Sequence, residues 1–167
     1  RDQLHKAAGV ADPTAETEPE GLIPSRPALR PADVLTSAAT PGRLSALDVG
    51  ICSPDAAAAG EDCTESMRLR KTNDYAAYMH ELEAQNIEYK PMVWSIFGRP
   101  HAATREVLQN ICRRAARRRG LAKSAVLLRT AESAITVEIW RRAALMVFSC
   151  WPELKQMEQE EDEDGPP

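Results

Sequence analysis

The apolar positions change period several times along the chain, and each change marks an element. Leu4, Ala7 and Ala8 fall on helical spacing, so the chain opens inside a helix. Residues 10–19 lose that period and read as a linker. Gly21–Pro24 reads as a short edge strand. Arg30–Ser37 and Leu44–Cys52 read as two strands joined through Pro41-Gly42, which suits a type II turn with Pro at i+1 and Gly at i+2. A β-hairpin is the expected result. From Asp55 the composition shifts to Ala, Glu, Arg, Met and Leu, and Met67, Tyr75, Tyr78, Met79 and Leu82 recur near helical spacing. One long helix is predicted over Glu61–Gln85, ended by Asn86. Ile87–Phe97 is the most β-like stretch and closes at Gly98. After Arg99-Pro100 a helix is predicted over Ala102–Arg119, stopped by Gly120, and residues 123–150 read as one or two more. Seven of the twelve prolines lie in the first 54 residues, which excludes a long helix there.

The order predicts an α/β fold: a small mixed sheet with a β-hairpin core flanked by helices, followed by a C-terminal helical extension. The chain divides into a truncated helix and linker (1–19), an α/β core (20–100), basic helices (101–152) and an acidic tail (153–167) expected to be disordered. With 167 residues and 5% aromatics, one modest core is affordable and two are not. Opening on Arg1 within a helical pattern, the chain reads as a piece of a longer polypeptide.

A net charge of −4 conceals two opposed blocks. Ten Lys or Arg stand against three acids between His101 and Leu145, whereas seven acids stand against one Lys between Glu153 and Asp164. Arg113, Arg114, Arg117, Arg118 and Arg119 crowd one helix end. Arginine, the better phosphate fork, outnumbers lysine sixteen to five. This block reads as a flank for DNA or RNA phosphates, or else as a solvated helix end. Cys52, Cys63, Cys112 and Cys150 are far apart, without a C-x-x-C, which argues against structural zinc and a disulfide scaffold and suits a reducing compartment. No apolar run approaches the roughly 20 residues of a membrane span. Trp94, Trp140 and Trp151 are expected in the core rather than as stacking platforms.

Candidate chemistry lies in the hairpin. On the second strand Ser45, Leu47, Val49 and Ile51 share one face, and Asp48 shares the other with Ala46, Gly50 and Cys52. A two- or four-residue loop at Pro41-Gly42 sets Asp33 directly opposite Asp48 or diagonal to it on one face. Adjacent carboxylates repel unless a cation lies between them, and hard oxygen ligands suit Mg²⁺. Without a cation they are ordinary strand-end acids. Lys71 and Tyr75, at i and i+4, share one side of the following helix, where a lysine can stabilise charge on a phosphate. Taken alone, Lys71 reads as a solvated helical lysine.

These residues, in this order, resemble the PD-(D/E)xK nuclease superfamily. More narrowly, the chain is similar to the restriction-enzyme-like endonuclease domain that follows the reverse transcriptase of non-LTR retrotransposons. The matching stretches are Glu18-Pro-Glu-Gly-Leu22, Arg30-Pro-Ala-Asp-Val34, Ala46-Leu-Asp-Val49, Lys71-x-x-x-Tyr75, and Tyr89-x-Pro-x-Val93 with Phe97-Gly98. Gly50 replaces the lysine usual two residues after the second acid, and in this branch the lysine sits on the next helix, where Lys71 falls. Ala32 separates Pro31 from Asp33, and Ser95 stands where relatives often carry an acid. The resemblance implies a restriction-endonuclease-like fold and a nuclear, Mg²⁺-dependent DNA endonuclease fused to a reverse transcriptase. It would nick target DNA to prime reverse transcription. Asp33 and Asp48 would be metal ligands, Glu18 a further one, and Lys71 and Tyr75 catalytic. The alternative is a non-catalytic nucleic-acid-binding module of the same fold. A helical protein-interaction domain, with the hairpin incidental, is a third reading.

Overall fold

The computed structural model describes residues 1–57 and 59–150. Helix α1 (Asp2–Ala11) leads into β1 (Glu16–Thr17), β2 (Val34–Thr36) and β3 (Leu44–Cys52). Helices α2 (Cys63–Tyr75) and α3 (Met79–Ala84), with a 3₁₀ turn at Ala76–Tyr78 between them, cross to β4 (Ile87–Ser95). Helices α4 (Ala102–Arg118) and α5 (Ala125–Cys150) follow. The four strands form one mixed sheet in the order β1-β2-β3-β4. β1–β2 and β2–β3 are antiparallel, whereas β3 and β4 are parallel. A parallel pair needs a crossover, and α2–α3 supply it. Pro91, which has no N–H to donate, is accommodated because β4 is an edge strand.

Alternation along the strands sorts the side chains into two cores. Val34, Leu47, Met92 and Trp94 face α1, α4 and α5, where Leu4, Ala8, Leu108 and Ile111 bury against them. Ala46 and Ile87 face the opposite way and pack with Leu22, Ile23 and Leu82. A smaller cluster of Cys52, Ala59, Cys63 and Val93 continues that second layer. The large core runs without interruption from α1 through the sheet to α4 and α5. In α4 the buried set Thr104, Val107, Leu108, Ile111, Cys112 and Ala115 follows helical spacing. The fold is therefore the expected α/β arrangement, a mixed sheet flanked by helices with a C-terminal helix.

Several boundaries differ from expectation, each for a physical reason. Gly21–Pro24 is not a strand. Its apolar pair, Leu22 and Ile23, is buried from a turn bounded by glycine and proline. The edge strand is instead β1, within the expected linker, where exposed polar residues pair through backbone alone. The first hairpin strand keeps only Val34–Thr36. Pro31 interrupts it upstream, and downstream the Ser37 N–H turns to the Asp12 carboxylate (2.7 Å). The connection consequently spans 37–43, with Ala38 and Ala39 buried, although Pro41-Gly42 does form its turn: Gly42 has φ +73°. The long helix divides at Tyr75–Tyr78, after Thr72-Asn73-Asp74, three residues whose side chains compete for backbone hydrogen bonds. The break re-aims the chain so that Leu82 reaches the core. Residues 125–150 form one helix. Trp94 is core, but Trp140 is 56% exposed on a helix that buries only Ile135 fully. Trp151 and the acidic tail lie outside the described residues. Among the described residues, no helix is long and apolar enough to cross a membrane.

Candidate active site

The register decides which acids are neighbours. Val34 pairs with Leu47 and Thr17 with Val34, and the ladder ends at these pairs, so Glu18 and Asp33 lie just past it. Backbone bonds still tie them to their neighbours: Glu18 N–H donates to Asp33 O (3.0 Å), and Asp33 N–H to Leu47 O (2.9 Å). The second bond is offset by one residue from a regular ladder, and it turns the Asp33 carboxylate along β3. There Oδ2 accepts from the Val49 N–H at 2.7 Å. Glu18 has φ +47°, and its carboxylate is taken by Arg1 and, at 4.0 Å, by Arg30.

Asp48 is the best-connected member. Lys71 Nζ donates to Oδ1 at 2.7 Å, and the Tyr89 hydroxyl donates to Oδ2 at 2.6 Å. The Lys71 and Asp48 side chains are only 17% and 12% exposed, so solvent screens this pair weakly. The same hydroxyl lies 3.2 Å from the Lys71 carbonyl oxygen, so Tyr89 ties strand β4, helix α2 and Asp48 together. Gly50 makes the approach possible. A Cβ there would stand 2.6 Å from Lys71 Cε and 3.3 Å from Cδ. The lysine stem thus lies over the glycine, in the space that a side chain two residues after Asp48 would fill.

Tyr75 does not touch Asp48. Its hydroxyl donates to the Arg30 carbonyl oxygen (3.2 Å), and its ring tilts against Tyr89 with centroids 5.2 Å apart. Burial first, then the nearby Asp48, Asp74 and Asp33 charges, raise its phenol above the ordinary value. Tyr89 is pushed far higher by burial and by donating to Asp48, so it remains a neutral donor. Tyr89 was not among the expected site residues. Alternation on β4 carries the signal: in the parallel register it pairs with Ala46, two residues before Asp48 and on the same face. Ser95 accepts from the Arg99 N–H (3.2 Å) at the end of β4.

The arginines lie elsewhere. Arg113, Arg114, Arg117, Arg118 and Arg119 are exposed at the C-terminal end of α4. Arg113, Arg114 and Arg117 line a cavity of about 540 Å³ against Ala38, Ala39 and Pro41. Arg114 donates to the Ser37 carbonyl oxygen (2.5 Å). Since α4 packs on the Leu47 face of the sheet and Lys71 lies over Gly50 on the other, the arginines and the Asp48 site occupy opposite faces. Among the described residues, no group of three or more His, Cys, Asp or Glu stands close enough to hold a metal ion together. Comparison with protein-family models, curated proteins and solved structures returns no match for this chain.

Proposed function

We propose that the chain is a Mg²⁺-dependent DNA endonuclease domain with a restriction-endonuclease-like fold, borne by a retroelement polyprotein that also carries a reverse transcriptase and acts in the nucleus. One observation carries this reading: Lys71 reaches Asp48 from the following helix across Gly50, so an acid and a lysine meet although the strand itself carries no lysine. Hard oxygen donors suit Mg²⁺. Asp48 offers two carboxylate oxygens, each using one acceptor site, and Asp33 Oδ1 accepts no hydrogen bond among the described residues. These two would hold the ion, with Glu18 as a further ligand once it leaves its arginines. A bound Mg²⁺ supplies an acidified water and stabilises charge on the phosphate under attack. Lys71 contributes a fixed positive charge at the same place. Tyr89 keeps Asp48 oriented, and Tyr75 braces Tyr89.

The measurement is nicking of supercoiled plasmid in Mg²⁺, with Asp48→Asn as the control. Mg²⁺-dependent nicking that Asp48→Asn abolishes supports the enzyme. Tight DNA binding without nicking replaces it with a second reading, a non-catalytic nucleic-acid-binding module. The cavity-lining arginines on the far face of the sheet favour that reading independently of Asp48.

A further inference from the structure

Cys52 and Cys63 are separated by ten residues in sequence and by a change of element, but the fold brings them together. Cys52 is the last residue of β3 and Cys63 the first of α2. Both belong to one small core cluster with Ala59, Val93 and the half-buried Met67. Both line one cavity of about 230 Å³, which Ser53, Ala56, Ser66 and Arg70 complete. All four cysteines are free thiols. Burial first, and then the neighbouring Cys63, push the Cys52 thiol above its ordinary value. Cys52 therefore stays protonated at neutral pH, its Sγ 3.5 Å from the Trp94 carbonyl oxygen. The other two thiols lie apart from this pair: Cys112 is buried between α4 and the large core, and Cys150 ends α5.

We propose that Cys52 and Cys63 form a redox-active dithiol whose oxidation by a small organic disulfide staples the end of β3 to the start of α2. These are the two elements that carry Asp48 and Lys71. In the first step the Cys63 thiolate attacks one sulfur of the reagent, forming a mixed disulfide and expelling one thiolate. In the second, Cys52 loses its proton and its sulfur attacks the Cys63 sulfur, breaking the mixed bond and expelling the second thiolate. The two protein thiols lose two electrons, the reagent gains them, and the two thiol protons end on the two released thiols. The cavity gives the reagent its way in. Closure proceeds through the Cys52 thiolate, so it quickens as pH rises.

The test uses the full chain carrying Cys112→Ser and Cys150→Ser, so that only this pair remains. Incubation with oxidised glutathione should lower the mass by two hydrogens and yield a single cross-linked peptide containing residues 52 and 63. Dithiothreitol should reverse both changes, and the melting temperature of the oxidised form should be higher. With Cys52→Ser added, the product should be one glutathione adduct on Cys63 and no intramolecular bond. Two stable glutathione adducts on the double variant, or no reaction at a reagent concentration that modifies the denatured chain, would overturn the proposal. Because mass and melting are read without any nicking assay, this outcome stands apart from the endonuclease reading.

Discussion

At the scale of single residues, the half-buried Asp48–Lys71 pair changes what a lysine substitution means. A solvated helical Lys is replaced by Ala at almost no cost. Here removal of the ammonium leaves Asp48 with Tyr89 alone, which is destabilising in a weakly screened place. Lys71→Met is the cleaner probe, since it keeps a stem over Gly50. It is expected to lower nicking by about 10²–10³, the scale for one preorganised charge. It should also lower the melting temperature, and Asp48→Asn in the same chain should recover part of that loss by removing the unpaired charge. Equal and additive losses in thermal unfolding would show that the pair is not coupled. Asp12 is the second residue on which local structure depends. Its buried carboxylate accepts from Thr14, from the Thr36 hydroxyl (2.7 Å) and from the Ser37 N–H (2.7 Å). Burial pushes its carboxyl up, but those hydrogen bonds outweigh burial and hold it well below the usual carboxylate range. A depressed folded-state value means stability that is fully present above the unfolded value of about 4 and lost progressively as pH falls from there through the lower folded value. Asp12→Asn should therefore flatten the acid limb of a melting-temperature profile, and cost about 1.5–3 kcal/mol at neutral pH. An unchanged acid limb would remove Asp12 from this role.

Among the elements, the strongly patterned ones were legible in the sequence and the irregular ones were not. Strand β3 has the expected bounds, Leu44–Cys52, because Leu47, Val49 and Ile51 alternate in sequence with Ala46, Asp48 and Gly50. The pairing of Val34 with Leu47 belongs to the register expected for a four-residue loop, even though the connection is longer. What hid the length was Asp12, a residue remote in sequence whose carboxylate draws Ser37 out of the ladder. Likewise β1 consists of two exposed polar residues, so no side-chain pattern announces it. The meeting of Asp48 and Lys71 followed from element order, but Tyr89 required the parallel register of β4, which sequence spacing does not supply. Helix α5 depends on an approach of the same hidden kind. Gly98, at φ +82°, lies so close that a Cβ would stand 2.4 Å from Thr136 Cγ2. Gly98→Ala adds both a left-handed backbone penalty and this clash. It should cost about 1–3 kcal/mol, and hydrogen exchange should rise first in α5. Uniform exchange across all helices would mean that α5 does not dock through this glycine.

For the molecule as a whole, the question is how a sheet with the candidate site on one face and the arginines on the other meets one nucleic acid. Helix α4 carries its arginines at its C-terminal end, where cations also favour the helix dipole, so their position alone does not require a ligand. Their surroundings add more. Arg113, Arg114 and Arg117 line a cavity whose far wall is the 37–43 connection, and Arg114 is anchored to Ser37 rather than left to sample solvent. A stiff duplex cannot lie on both faces of a sheet at once without running past an edge or bending. Binding by the arginines and chemistry at Asp48 should therefore be separable by mutation. Replacing Arg113, Arg117 and Arg118 with Ala should weaken DNA binding and reduce the slope of log affinity against log salt by about 0.9 for each phosphate no longer neutralised. Arg114 is spared in that variant, because its bond to Ser37 belongs to the fold. Asp48→Asn should leave the slope where it was. If the arginine variant keeps the full slope, the α4 end is a solvated helix terminus and the DNA track runs on the α2 face. If its slope falls and it binds too weakly to nick, yet it nicks normally when DNA is raised to saturation, the arginines hold the substrate and Asp48 with Lys71 acts on it.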